Sequence, residues 1–174
     1  MEVSLLNKGS LRIKGKNAVI VVDPTRDSPK TEADAVLLLT GSTGNISSKI
    51  ENARVAISGP GEYEIGGVKI AGIYQNGKVV YTLDIDGVKV ALGNPAALEK
   101  AHDRIAECQL AILNINEPFE ESVFSSLEPN VAVLYGEGVA ASIKSLGIDI
   151  KARASKYAIA AEKIPQEFET IVLE

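Results

Sequence analysis

The chain has 174 residues, 45% hydrophobic and 24% charged, with a formal net charge of −5. That apolar content excludes intrinsic disorder, and the acidic balance excludes a general nucleic-acid binder, which needs a concentrated basic face. A chain of this length builds one core, so residues 1–174 are expected to form a single domain.

Residues 2–24 read as strands and turns. Leu11, Ile13 and the run Ala18 to Val22 are apolar, while Arg12, Lys14 and Lys16 alternate outward around Gly15 as a solvated hairpin face. The strand Asn17 to Asp23 is stopped by Pro24, which cannot donate to a ladder. Ala35-Val-Leu-Leu-Leu39 is a second buried strand and empties into Thr40-Gly-Ser-Thr-Gly-Asn-Ile46. From Val55 the chain is all β. Ser58-Gly-Pro-Gly61 is a turn, Glu62–Ile65 and Val68–Ala71 pair through Gly66-Gly67, and the alternation Val79, Tyr81, Leu83, Ile85 is followed after Gly87 by Val88 to Leu92.

The second half alternates strand with helix. Helical spacing of Ala97, Leu98, Ala101, Ile105 and Cys108 predicts a helix over 95–108 opened by Pro95. Leu110–Asn114 is a strand, 117–127 a helix, Asn130–Tyr135 a strand, 138–146 a helix closed by Gly147, and strands around 157–161 and 168–173 end the chain. A β-rich first half followed by strand–helix alternation predicts an α/β layered sandwich. Ligands in such sheets gather at the carboxyl ends of strands, here Thr40–Ile46, Leu92-Gly-Asn-Pro95 and Leu134-Tyr-Gly-Glu-Gly138.

The succession Val-Val-Asp23-Pro24, then Ala33-Asp-Ala-Val-Leu-Leu-Leu-Thr40, resembles the opening of the metallo-β-lactamase fold superfamily. Ile57-Ser-Gly-Pro-Gly-Glu-Tyr-Glu-Ile-Gly-Gly-Val-Lys-Ile70 is similar to members described as Zn-dependent hydrolases of that fold. Asp86-Gly-Val-Lys-Val-Ala-Leu-Gly-Asn94 resembles their strand ending in a metal-bridging L-G-D, and 128–135 the strand leading to their last histidine. The resemblance implies an αβ/βα sandwich and a metal site opened by T-H-x-H-x-D-H. It also implies where the ligands are missing. That motif laid on Thr40–Ile46 puts Gly41, Thr43 and Ile46 at the histidine positions and Asn45 at the aspartate. Asn94 stands for the bridging aspartate, and the last histidine falls on or near Gly136.

The sole histidine, His102, cannot supply the two or three imidazoles of a usual catalytic zinc site. Two asparagines in place of aspartates suit a pocket with no cation, where paired carboxylates would repel. No metal and no other cofactor is therefore expected, and the favoured function is non-catalytic: binding of a small polar ligand or a partner protein, with homo-oligomer formation open. The expected ligand contacts are Ser42, Thr43, Asn45 and Asn94. Two alternatives stand beside this reading. One is a hydrolase with a relocated metal site using Asp23, Glu62 and His102. The other is a nucleotide-binding module using Gly136 and Gly138, which fit G-x-G-x-x-[GA] but lack the acidic residue ~20 positions on and carry Glu137 where a pyrophosphate would sit. Asp23 otherwise reads as a strand-end carboxylate binding loop amides. Cys108 reads as a buried small hydrophobe on the helix face, and Glu62 and Glu64 as a solvent-facing hairpin edge. A single cysteine, no apolar run of membrane-spanning length and no basic-then-apolar leader together predict a cytoplasmic protein with no membrane attachment.

Overall fold

The computed structural model describes residues 1–40 and 50–174. In chain order the first half holds β1 (Glu2–Asn7), β2 (Ser10–Lys14), β3 (Val19–Val22), β4 (Thr31–Glu32), β5 (Ala35–Leu37), β6 (Ile50–Glu51), β7 (Val55–Ile57), β8 (Gly61–Ile65), β9 (Val68–Gln75), β10 (Lys78–Ile85) and β11 (Val88–Gly93). Then follow α1 (Pro95–Ala101), β12 (Leu110–Asn114), α2 (Ser122–Leu127), β13 (Val131–Tyr135), α3 (Val139–Leu146), β14 (Ala152–Ala154), β15 (Lys156–Ala158) and β16 (Glu169–Leu173). One large sheet has the order β15-β1-β2-β3-β5-β7 and the other β14-β16-β13-β12-β11-β10-β9-β8, while β4 and β6 form a separate parallel pair. In each large sheet, antiparallel hairpins give way to parallel strands: β3, β5 and β7 in the first, and β11, β12, β13 and β16 in the second. This mixed α/β sandwich is the fold class expected.

The two-residue period of the strands decides the layers. Val79, Tyr81, Leu83 and Ile85 of β10 face the first sheet and pack with Ile13, Ile20 and Leu37 in a core between the sheets. Val80 of the same strand points the other way, into a second core with Ala91, Ala111 and Leu134 under the helices. Each fully buried Leu, Ile or Val contributes roughly 1.5–3 kcal/mol of transfer energy. All three α-helices carry residues in that second core, so among the described residues the helices cover one outer face only. Thr82 and Asp84 of β10, beyond the helices, line an open trough of about 740 Å³ of mixed polar and apolar lining on the same face.

Two helices are shorter than their sequence spacing predicts. α1 stops at Ala101, and His102–Arg104 form one 3-10 turn. Gln109 fixes the return: its N–H donates to Lys89 O at 2.9 Å and its side-chain oxygen accepts the Lys89 N–H, so this backbone already belongs to the sheet. Cys108 therefore lies in an irregular segment rather than on a helix face, although it is buried as expected. α2 begins at Ser122 instead of 117, and Phe119 drops into the second core ahead of it. α3 ends as predicted, with Gly147 left-handed at φ 66°. No helix among the described residues is long and apolar enough to cross a membrane.

Candidate functional site

The carboxyl ends of the parallel strands of both sheets meet at one end of the sandwich. Tyr81 joins them: it pairs with Leu92 near the end of β11, and its one hydroxyl hydrogen is shared between Leu38 O (3.0 Å) and Ile57 O (2.9 Å) at the ends of β5 and β7. The N–H of Val79 adds a bond to Leu39 O at 2.8 Å.

Asp23 ends β3 at this junction with φ 43°, a left-handed conformation that Asp tolerates better than most residues but that still costs energy. Its Oδ1 accepts the Leu39 N–H at 2.9 Å, which bears out the reading of a carboxylate holding loop amides. Burial raises its pKa to about 6, against which the Leu39 hydrogen bond acts. The same carboxylate helps raise the phenols of Tyr81 and Tyr135 after burial itself, so both tyrosines keep their protons.

Tyr135 ends β13 fully buried, and its hydroxyl has no hydrogen-bond partner among the described residues. Asn114, its register partner at the end of β12, lies close enough to oppose the rise in its pKa without forming a hydrogen bond of normal geometry. Asn114 Oδ1 instead accepts from Asn116 Nδ2 at 2.6 Å. Gly136 follows at φ 115°, where a Cβ would meet Ile115 O at 2.5 Å, and Gly138 donates its N–H to the same oxygen at 2.8 Å. These glycines serve close backbone packing between the β12 and β13 exits, which gives the G-x-G-x-x-A spacing a structural reason.

Of the expected ligand contacts, Asn94 lies at the end of β11, where its Oδ1 accepts the Ala97 N–H at 3.3 Å as the N-cap of α1. Ser42, Thr43 and Asn45 lie outside the described residues. His102 sits past the far end of α1, about 12 Å along the helix axis from Asn94 at 1.5 Å per residue. It is half-exposed, with Nδ1 2.7 Å from Glu99 O and Nε2 3.0 Å from Asp103 Oδ1. Glu62 is exposed on β8, the outer edge of the second sheet, so Asp23, Glu62 and His102 occupy three separate places. Cys108 has its thiol pushed up to about 12 by burial, too high for a nucleophile at neutral pH.

The divalent metal that the resemblance implies does not fit the described residues. Its donors would have to come from the single carboxylate Asp23, already held by the Leu39 N–H, a capping amide at 94, a backbone-pressed glycine at 136 and a protonated phenol at 135. No three His, Cys, Asp or Glu side chains among the described residues lie together as a metal would need. Sequence reasoning did not single out Tyr81 and Tyr135. The available signal was a lone tyrosine on each of two otherwise apolar strand faces, inside Val79, Tyr81, Leu83, Ile85 and at the end of Val131-Ala-Val-Leu-Tyr135.

No protein-family model and no curated protein matches the chain. Solved structures do. A metallo-β-lactamase superfamily protein from Thermotoga maritima, provisionally described as a Zn-dependent hydrolase, superposes with a TM-score of 0.78 at 21% identity, covering 99% of this chain and 98% of its own. A protein from Parabacteroides distasonis, provisionally described as a metal-dependent hydrolase, gives 0.59 at 17% identity over 86% of this chain and 90% of its own. The metallo-β-lactamase fold protein YhfI from Bacillus subtilis gives 0.59 at 8% identity over 98% and 95%. The fold is that of the metallo-β-lactamase superfamily; identities this low carry no shared chemistry.

Proposed function

We propose that this chain, built on the metallo-β-lactamase fold, is a non-catalytic binding protein that uses the strand-end pocket for a small polar ligand or a partner protein. One observation carries the reading: at the end of the sandwich where carboxylates and imidazoles would have to converge, the chain supplies Asn94 as a helix cap and Tyr135 as a buried neutral phenol. Neither is a ligand for a divalent ion, and a hydrolase of this type depends on such an ion to activate water. Ser42, Thr43, Asn45 and Asn94 remain the proposed ligand contacts, since hydroxyls and amides recognise polar groups without adding charge. A second copy of the chain is an admissible partner, and a reducing compartment suits the single buried thiol.

The test is metal content by inductively coupled plasma mass spectrometry on untagged protein incubated with zinc and manganese and then desalted. The expected ratio is near zero. A ratio near one or two per chain overturns the reading and makes phosphoester, thioester and lactam hydrolysis the next assays.

A further inference from the structure

We infer that the two edges of the eight-stranded sheet bind each other between copies of this chain, β8 of one copy receiving β14 of the next. The inference goes beyond the binding reading above: it uses neither the strand-end pocket nor its chemistry, and it gives a second copy of the chain a defined surface.

β8 and β14 close opposite sides of this sheet, and no described strand pairs with the outer side of either. Their directions suit each other. β8, β9, β10 and β11 alternate, and β12, β13, β16 and β14 all run parallel to β11, so β8 runs opposite to β14. A copy set beside another in the same orientation brings the two edges together antiparallel, with both helix-bearing faces on one side. On that face β8 presents Glu62 and Glu64, both exposed. The row that Glu64 begins alternates in charge: Glu64 lies opposite Lys69, Lys69 opposite Asp84, and Asp84 opposite Lys89. Among the described residues no cation lies within salt-bridge distance of Glu62 or Glu64, and the next strand outward should carry one opposite each. β14 supplies both. Arg153 pairs with Val172, which enters the core under the helices, so Arg153 faces the same way as the two glutamates. Lys151 stands two residues earlier, and its N–H donates to Thr170 O at 2.9 Å, which carries the ladder on to it. An antiparallel register that sets Glu62 against Arg153 sets Glu64 against Lys151 as well, with Tyr63 against Ala152 between them. Charged edges normally keep sheets apart. Here that protection acts only between like edges, since β8 against β8 confronts glutamates and β14 against β14 confronts cations. The present partners of the two cations, Glu174 at 2.8 Å from Arg153 and Glu169 at 3.6 Å from Lys151, form surface pairs weak enough to exchange. Because the two edges differ, the contact is heterologous and passes from copy to copy unless a ring closes.

The experiment is sedimentation velocity on the whole chain over a range of concentrations, in about 20 mM and about 500 mM sodium chloride. At low salt the wild type is expected to exceed the mass of one chain as concentration rises, and at high salt its association constant to fall at least tenfold. Two double variants test the pairing. Glu62→Lys with Glu64→Lys makes both edges cationic, and Lys151→Glu with Arg153→Glu makes both acidic. Each alone is expected to lose at least tenfold in association. Mixed in equal amounts they are expected to recover it, because β8 of either variant then finds its opposite charge on β14 of the other. All four residues are exposed, and circular dichroism with a melting curve shows whether each variant is folded. Where a charge reversal is not, the corresponding glutamine pair replaces it, with the same tenfold loss expected. A wild type that stays a single chain at low salt, unchanged association in a folded double variant, or mixing of the two folded charge reversals without recovery overturns the inference. Metal uptake would overturn the binding reading instead and leave this pairing standing.

Discussion

The two ends of the sandwich treat polar groups in opposite ways. At the turn end, Asp86 occupies a left-handed position before Gly87, accepts the Lys16 N–H on both carboxylate oxygens at 3.1 Å, and lies 3.3 Å from the Met1 amino nitrogen. That amino group is part-buried and also donates to Ile159 O at 2.9 Å. Gly66 turns there at φ 57°, so close to Asn17 that a Cβ would meet its carbonyl oxygen at 2.7 Å. Each polar group named at this end has a partner. At the strand end, Asp23 is desolvated and the Tyr135 hydroxyl has no hydrogen-bond partner of normal geometry among the described residues. One end is arranged for stability alone, while the other tolerates imperfect pairing, the pattern expected where a protein keeps groups for a task.

Breaking the satisfied end should have the larger effect. Asp86→Ala strands a part-buried ammonium and a backbone N–H and forces alanine into a left-handed turn, for an expected loss of about 3 kcal/mol in urea unfolding. An unchanged midpoint would mean that the glycine turns hold this end without the carboxylate. Next in size is a contrast within the strand end. Tyr81→Phe removes the hydrogen shared by two buried carbonyls and should lose about 1–3 kcal/mol, whereas ligand-free Tyr135→Phe should lose nothing or gain slightly, because no bond is broken. Equal losses in the two variants would show that the Tyr135 hydroxyl is bonded in solution and remove the contrast.

The remaining contrast concerns pH. Asp23 has a folded pKa of about 6 against an ordinary 3.8, so the folded state binds the proton more tightly than the unfolded state. Its contribution is therefore fully present below the unfolded value and is lost as pH rises through about 6. Asp23→Asn keeps an acceptor for the Leu39 N–H and suits the left-handed backbone, so between about pH 4 and 6 its stability should fall less with rising pH than that of wild type. Parallel stability profiles for the two proteins would show that the carboxylate is well solvated.

Where side chains alternate or repeat along one element, the sequence predicted the structure; where distant chain segments meet, it did not. Val79 to Ile85 declare a strand because one face is continuous with the core, and Gly66-Gly67 and Gly147 mark turns by chemistry that needs no tertiary context. Helical spacing misled at Ile105 and Cys108 because burial under the second sheet demands apolar residues whether the backbone is coiled or irregular. The site was legible as a set of strand exits, and Asp23 as a carboxylate binding loop amides. The isolation of Tyr135 was not legible, since it depends on how the ends of β12 and β13 meet the first sheet, whose β3 lies far back in the chain.

The last three strands have a consequence for how the molecule assembles. β14 lies at the edge of the second sheet, β15 crosses to the first and pairs with β1, and β16 returns to sit between β13 and β14. The edge strand is thus made before the strand that joins it to its sheet. The first strand likewise waits for a partner far along the chain, with Val3 opposite Tyr157. Closing such long loops precedes any reward from the contacts, which slows folding. During synthesis β14 remains an unpaired edge until Glu169–Leu173 emerges, and the outer edge of β1 stays open until Lys156–Ala158 does, so both sheets are completed late.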